Sequence, residues 1–180
     1  MKAVLDTCVI YPTVMREMLL GAARLGHFTP IWSARILEEW ARAARKLGPT
    51  GEAQARAEIA LTQANWPDAE RAPNEGLQNR LWLPDAADIH VLATAIAASA
   101  DVIVTVNAKD FPRNILAEEG LDRVDPDSLL HGFWQADATG MNALAAQVLA
   151  EANRLSGVQW TLRALMKKAR LPRLGKALTT

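Results

Sequence analysis

Short apolar or β-branched runs alternate with helical patterns along the first two thirds of the chain, and this alternation limits the fold most strongly. The runs are Lys2–Leu5, Phe28–Trp32, Asp101–Val106 and Leu121–Val124. Between them, apolar residues recur at helical spacing, for example from Met15 to Leu25. Strands that alternate with helices in this way predict βαβ units around a parallel sheet. We therefore expect an α/β fold, namely an α/β/α sandwich with a central parallel sheet.

The end of the chain has a different pattern. After Pro126 no strand pattern remains, and residues 127–135, 137–155 and 158–170 all have helical periodicity. We expect an α/β domain over residues 1–130 and a C-terminal helical extension over residues 131–180. The polar stretch 66–78, which contains two prolines, predicts irregular structure.

Charge is divided unevenly along the chain. The totals are 20 basic and 20 acidic residues, but residues 1–151 hold all 20 acids with 13 bases, a net charge of −7. Residues 152–180 hold seven bases and no acid. An acidic body with a basic tail suggests a polyanionic partner, but charge alone slightly favours the simpler interpretation, a solvated helix face.

Cysteine content and hydropathy exclude several classes of protein. Cys8 is the single cysteine, so an intrachain disulfide and a multi-cysteine zinc site are both excluded. No apolar run reaches the roughly 18 residues of a membrane span. Asp6 follows only three apolar residues, which is incompatible with a secretory leader. We expect a cytoplasmic protein without a membrane partner.

Several carboxylates fall where a parallel sheet binds ligands, beyond the carboxyl ends of its strands. Asp6 follows the first strand, Asp110 follows the strand 101–106, and Asp85 and Asp88 open the helix before that strand. Glu39 lies within a helix predicted to begin after the N-cap Ser33 and to run to about Leu47. Converging carboxylates repel one another unless a cation is present, and oxygen ligands alone favour Mg²⁺ or Mn²⁺. Such an ion polarises a phosphodiester and generates hydroxide that attacks it, so the acids predict a metal-dependent nuclease.

Each acid also has a structural alternative. Asp85 follows a proline and can cap a helix, and Asp88 suits the positive end of the same helix. Asp110, which precedes Phe111-Pro112, can be a turn residue. Glu38 and Glu39 are adjacent, and the sequence does not decide which of them faces the cleft.

Other chemically notable side chains are expected to be structural. No histidine neighbours Cys8 in sequence, so this cysteine is expected to pack at the strand end rather than act as a nucleophile. His90 is expected to be partly exposed. Trp134 and Trp160 lie near the basic tail and are expected to pack in the core, with stacking on RNA bases as the alternative.

Four segments together resemble the acidic motifs of PIN-domain ribonucleases, particularly the VapC-like toxins of bacterial toxin–antitoxin pairs. They are Val4–Ile10, Ser33–Trp40, Asp85–Ala95 and Val104–Phe111, the last being similar to a T-x-N-x-x-D-F signature. Their order and spacing agree with the family over about residues 2–130. The helical tail is similar to an extension found in one VapC-like subgroup.

The resemblance implies a role for each matching residue. The acidic quartet corresponds to Asp6, Glu39, Asp88 and Asp110, of which Asp6, Asp88 and Asp110 would hold Mg²⁺ or Mn²⁺ directly and Glu39 would position the ion or the attacking water. The supporting polar positions correspond to Thr105 and Asn107, and Asp85 adds a further acid. Cys8 is a departure, because many relatives have Asn or Ser at that position.

The resemblance further implies an endoribonuclease toxin that acts on RNA and is blocked by a cognate antitoxin protein, and a homodimer is compatible with it. The residues expected to hold the RNA backbone are Lys109, Arg113, Arg163, Lys167, Lys168 and Arg170. The main alternative is a non-catalytic PIN-like module that binds RNA or protein. A phosphoryl hydrolase with Asp6 as nucleophile is less favoured, since such enzymes typically have a second Asp where Cys8 stands.

Overall fold

The computed structural model describes residues 1–179 and contains a five-stranded parallel sheet flanked by helices. The strands are β1 (Lys2–Leu5), β2 (Thr29–Ser33), β3 (Glu70–Arg71), β4 (Val102–Val104) and β5 (Asp122–Val124). They are arranged in the order β3-β2-β1-β4-β5. The predicted α/β class and parallel sheet are confirmed.

The central strand β1 is buried on both faces and along both edges. Val4 pairs with Ile31 of β2 on one side and with Ile103 of β4 on the other. All three side chains are fully buried, as expected for the apolar interior of a parallel sheet. The amide of Asp6 continues this register and donates to the Val104 carbonyl at 3.1 Å. The first residue beyond β1 is therefore fixed by the sheet.

The chain divides into two compact units, of which the first contains residues 1–11 and 29–123. Its helices are α1 (Thr7–Ile10), α3 (Ala34–Ala43), α4 (Gly51–Asn65), α5 (Glu75–Arg80), α6 (Ile89–Ala97) and α7 (Arg113–Glu118). Single 3₁₀ turns at Ala44–Leu47 and Ala86–Asp88 extend α3 and precede α6. Ser33 caps α3 as predicted, its Oγ accepting from the Ile36 amide at 3.3 Å.

The second unit contains residues 12–28 and 124–180, and the regular secondary structure of its described residues is helical apart from Val124 at the end of β5. Its helices are α2 (Thr13–Arg24), α8 (Pro126–Ala136), α9 (Ala138–Ser156), α10 (Leu162–Lys168) and α11 (Pro172–Ala177). The ring of Phe133 on α8 stacks against His27 and Phe28 with centroid distances of 4.9 and 5.7 Å. These contacts join the end of the α2 segment to the C-terminal helices.

The prediction of irregular structure over residues 66–78 was confirmed only in part: residues 66–69 and 72–74 form no helix or strand, but a short strand and the start of a helix lie in the same stretch. Residues 70–71 form β3, which extends the sheet because the Trp32 amide of β2 donates to the Ala69 carbonyl. An edge strand of two residues needs no apolar pattern, so its composition did not reveal it. Asn74 then caps α5 through the Leu77 amide.

The last helix, α11, was also missed. Pro172 occupies its first turn, and the Asp127 carboxylate of α8 accepts from the Arg173 and Leu174 amides at 2.8 Å each. A cap supplied from 46 residues away leaves no local sequence signal. None of the helices within residues 1–179 combines the length and apolar character that crossing a bilayer requires.

The Ser33 cap fixes the start of the helix that carries Glu39, and its contribution can be measured. Replacing Ser33 with Ala should lower the free energy of unfolding by about 1 kcal/mol, because the Ile36 amide loses its acceptor. Thr50 is a matched control, since it stands at the same position before α4 and makes no side-chain cap. Thr50→Ala should leave chemical denaturation unchanged; an equal loss in both variants would contradict the role given to Ser33.

Candidate active site

Asp6 is a buried carboxylate whose two oxygens are both oriented by hydrogen bonds. Oδ1 accepts from the Thr7 amide at 2.7 Å, so that Asp6 caps α1. Oδ2 accepts from Thr105 Oγ1 at 2.7 Å, across from the end of β4. Oδ1 retains a lone pair beyond its single bond, whereas Oδ2 also accepts from the Cys8 thiol. The first predicted acid is therefore held in one orientation with capacity left for a further ligand.

Thr105 and Cys8 form the polar support beneath Asp6. The Thr105 hydroxyl also accepts from the Asn107 amide at 3.0 Å, and the Cys8 thiol donates to Asp6 Oδ2 at 3.1 Å. Burial and the charge of Asp6 raise the pKa of Cys8 to about 12. The thiol therefore stays protonated and serves as a hydrogen-bond donor to Asp6.

Glu39, and not Glu38, faces the Asp6 side of α3. Glu39 Oε2 accepts from Thr7 Oγ1 at 2.9 Å, directly beside Asp6. Burial raises the pKa of Glu39, but contacts with His90, Thr7 and Arg35 outweigh it and hold the pKa below its ordinary value. Glu38 instead pairs with Arg42 and Arg56 on the exposed surface.

His90 contributes a contact that the sequence analysis missed. Its side chain is 3% exposed, which corrects the expectation of partial exposure, and Nε2 lies 2.9 Å from Glu39 Oε1. The sequence contained a signal for this burial, because residues 89–97 are apolar on every side of the helix apart from His90 and Thr94. The structure buries residues 90–95. A histidine in such a helix is itself expected to be buried.

Asp88 stands at the end of the 3₁₀ turn and is electrostatically coupled to the other predicted acids. Burial raises the pKa of Asp88 to about 6, and the charges of Asp6, Asp85, Asp110 and Glu39 add to the shift. Asp85 itself caps the turn, with Oδ1 accepting from the Ala87 amide at 2.9 Å. The structure thus brings the other four predicted carboxylates close enough to Asp88 for their charges to raise its pKa.

The carboxylates do not form a closed set of metal ligands in this structure. Within residues 1–179, no three His, Cys, Asp or Glu side chains are arranged to hold an ion. The donor chemistry nevertheless fits a hard divalent cation. The neighbouring groups are carboxylates that repel one another, and this repulsion contributes to the raised pKa of Asp88. The fit to Mg²⁺ or Mn²⁺ therefore rests on residue type and charge.

The remaining predicted residues differ in their surroundings. The side chains of Asn107 and Lys109 are exposed, and Asp110 is half-buried after a turn in which its amide donates to the Asn107 carbonyl. Arg113 pairs with Asp122. In the second unit, Lys168 lies 4.6 Å above the Trp160 ring. The other exposed basic residues predicted there are Arg163, Lys167 and Arg170.

Comparison with known proteins shows which family the chain belongs to. A model of the PIN domain matches residues 2–109, which is more than half of the chain. The chain belongs to the PIN-domain family. PIN domains are generally metal-dependent nucleases that bind RNA. Comparisons with curated proteins and with solved structures gave no significant match. The match includes Asp6, Glu39 and Asp88 and ends one residue before Asp110.

The raised pKa of Asp88 predicts a stability cost that depends on pH. The folded protein retains the Asp88 proton between pH 3.8 and about 6, where the unfolded chain has lost it. Stability therefore falls as the pH rises through this window, and the cost is fully present above it. In EDTA at pH 8, Asp88→Asn should melt a few degrees above the wild type, and the gain should disappear below pH 3.8.

Glu118 on α7 provides the control for this measurement, because it is an exposed carboxylate outside the cluster. Glu118→Gln should leave the melting temperature unchanged at both pH values. An Asp88→Asn variant that is no more stable than the wild type at pH 8 would contradict the electrostatic coupling.

Proposed function

We propose that the protein is a metal-dependent endoribonuclease and the toxin of a toxin–antitoxin pair. The observation that carries the nuclease assignment is the coupling of five carboxylates at the carboxyl edge of a PIN-domain sheet, expressed in the raised pKa of Asp88. A site that only binds RNA gains nothing from negative charge facing phosphates. The toxin assignment is supported by the similarity of the acidic motifs and the helical tail to VapC-like proteins.

In this proposal Asp6, Asp88 and Asp110 hold Mg²⁺ or Mn²⁺, and Asp85 adds negative charge nearby. When bound, the ion polarises a phosphodiester and lowers the pKa of water, so the reaction needs little from a protein base. Thr105 and the Cys8 thiol keep Asp6 oriented toward the cleft through their hydrogen bonds to Oδ2.

Glu39 positions the attacking water. Its Oε2 is held by the Thr7 hydroxyl and its Oε1 lies against His90, so the carboxylate has one preferred orientation. Its lowered pKa keeps it ionised at neutral pH and able to accept a hydrogen bond from water.

The proposal also assigns partners and regions. The nuclease occupies residues 1–130, and the extension 131–180 binds RNA backbone through its basic helices, together with Lys109 and Arg113 of the nuclease part. A cognate antitoxin presents Arg or Lys to the acids in resting cells. The protein acts in the cytoplasm, and a homodimer is the proposed assembly.

Two adjacent glutamates of α3 offer a matched test of the nuclease site. Wild-type protein should cleave purified cellular RNA in Mg²⁺ or Mn²⁺ but not in EDTA. Glu39→Gln should lower the cleavage rate by about tenfold, because the neutral amide oxygen is a weaker hydrogen-bond acceptor for the water than the carboxylate. Glu38→Gln removes a charge one residue away, on the side of α3 that pairs with Arg42 and Arg56, and should cleave like the wild type.

Two results would contradict the proposal. Equal cleavage by the Glu38 and Glu39 variants would remove Glu39 from the site. RNA that binds without being cleaved in any metal would instead favour the non-catalytic PIN-like module.

The basic tail gives a separate prediction about RNA affinity. Reversing the charge of Lys167, Lys168 and Arg170 should weaken RNA binding and flatten its dependence on salt. Each lost phosphate contact should change the slope of log K against log salt by about 0.7 for a single strand. Binding titrations at several salt concentrations, with circular dichroism as the folding control, measure this change. An unchanged slope would leave the tail with a structural role only.

A further inference from the structure

Arg35 is anchored between two of the segments that carry acids. It lies one helical turn before Glu39 on α3, and its Nε donates to Glu39 Oε1 at 3.3 Å. Its Nη2 donates to the Ala87 carbonyl at 3.4 Å, within the 3₁₀ turn that ends at Asp88. The guanidinium is therefore held beside the acid cluster.

Glu39 has other partners, so holding this carboxylate does not account for Arg35. Thr7 and His90 each approach a Glu39 oxygen at 2.9 Å, closer than Arg35 does. The His90 side chain is 3% exposed, whereas that of Arg35 is 53% exposed. Of the three contacts with Glu39, the one made by Arg35 is thus the longest, and Arg35 is far more exposed to solvent than His90.

A guanidinium has five N–H donors in one plane, and two of the five in Arg35 are engaged by these contacts. The remaining donors form a fork of the kind that matches two oxygens of a phosphate. Because the side chain is half exposed and anchored at two points, a ligand can reach the fork without ordering a flexible chain.

The surroundings of Arg35 contain several carboxylates. Asp6, Asp85, Asp110 and Glu39 all act on Asp88, and Arg113 is paired with Asp122. A phosphate that approaches such a cluster needs a cation from the protein in addition to any metal.

We propose that Arg35 binds a backbone phosphate of the RNA substrate beside the acid cluster. This inference rests on the proposed ribonuclease function and adds a substrate-binding residue to it. Arg35 contacts the RNA chain, while the acids act on the phosphodiester that is cut.

The test compares two arginines of the same helix. Arg42 is 64% exposed and bonds Glu38 at 3.0 Å over the same four-residue spacing, but on the surface that carries Arg56. Arg35→Gln, Arg35→Lys and Arg42→Gln are compared with wild type for binding a labelled single-stranded RNA of mixed sequence. Binding is measured in EDTA over a range of salt, and cleavage kinetics are measured separately in Mn²⁺.

Arg35→Gln should bind RNA about tenfold more weakly and reduce the salt slope by about 0.7, the value of one phosphate contact. Arg35→Lys keeps the charge but loses the planar fork, so its affinity should lie between those of the wild type and Arg35→Gln. Arg42→Gln should match the wild type in affinity and slope. Melting curves identify any loss that comes from unfolding, and the conservative Lys variant then decides the question.

Three results would overturn the inference. The first is wild-type affinity and slope in Arg35→Gln. The second is a lower kcat in that variant with unchanged affinity, which would make Arg35 a positioning residue for Glu39. The third is an equal loss of affinity in the Arg42 control. The proposed function is tested separately, because binding in EDTA needs no catalysis. It would fail if the wild type showed no metal-dependent cleavage.

Discussion

Repulsion between carboxylates is the constraint on which this site depends. The buried register of β1 between β2 and β4 fixes Asp6, and the α3 and α6 segments bring Glu39 and Asp88 into its neighbourhood. Burial of Asp88, and after it the like charges gathered around this residue, raise its pKa and destabilise the folded chain at neutral pH. The hydrogen bonds from Thr7, Thr105 and Cys8 are the compensation that keeps the acids in place.

The side chains that hold Asp6 in place are neutral, unlike the acids around it. Thr105 and Cys8 are neutral donors aimed at one oxygen of Asp6, so they orient the carboxylate without neutralising its charge. Glu39 is held differently, because it contacts the buried His90 and the half-exposed, positively charged Arg35. A site built in this way keeps its negative charge available for a cation that binds after folding.

Local patterns predicted much of the fold. The apolar run 2–5, the β-branched run 101–106 and the Ser33 cap each depend on neighbouring residues, and each prediction was confirmed. The strand β3 and the helix α11 were missed because their hydrogen bonds come from distant parts of the chain, namely Trp32 and Asp127.

The candidate site was also predicted only in part from the sequence. The sequence identified the five acids and Thr105 from their order and spacing, and the structure places them together. It did not decide between Glu38 and Glu39, because the choice depends on the rotation of α3 against Thr7. The buried contact of His90 and the anchoring of Arg35 at Ala87 depend on tertiary packing that no spacing encodes.

The most direct test of the central claim is Mn²⁺ binding to the purified protein, followed by calorimetry and by the melting temperature. The account predicts that Mn²⁺ binds the wild type and raises its melting temperature by several degrees, since saturation at 100 times Kd adds about 2.7 kcal/mol to the stability. Asp6→Asn should remain folded and lose both effects, whereas Asp68→Asn, at an exposed acid outside the cluster, should keep them. A wild type that does not bind Mn²⁺, or an Asp6→Asn variant that binds it equally well, would contradict the account.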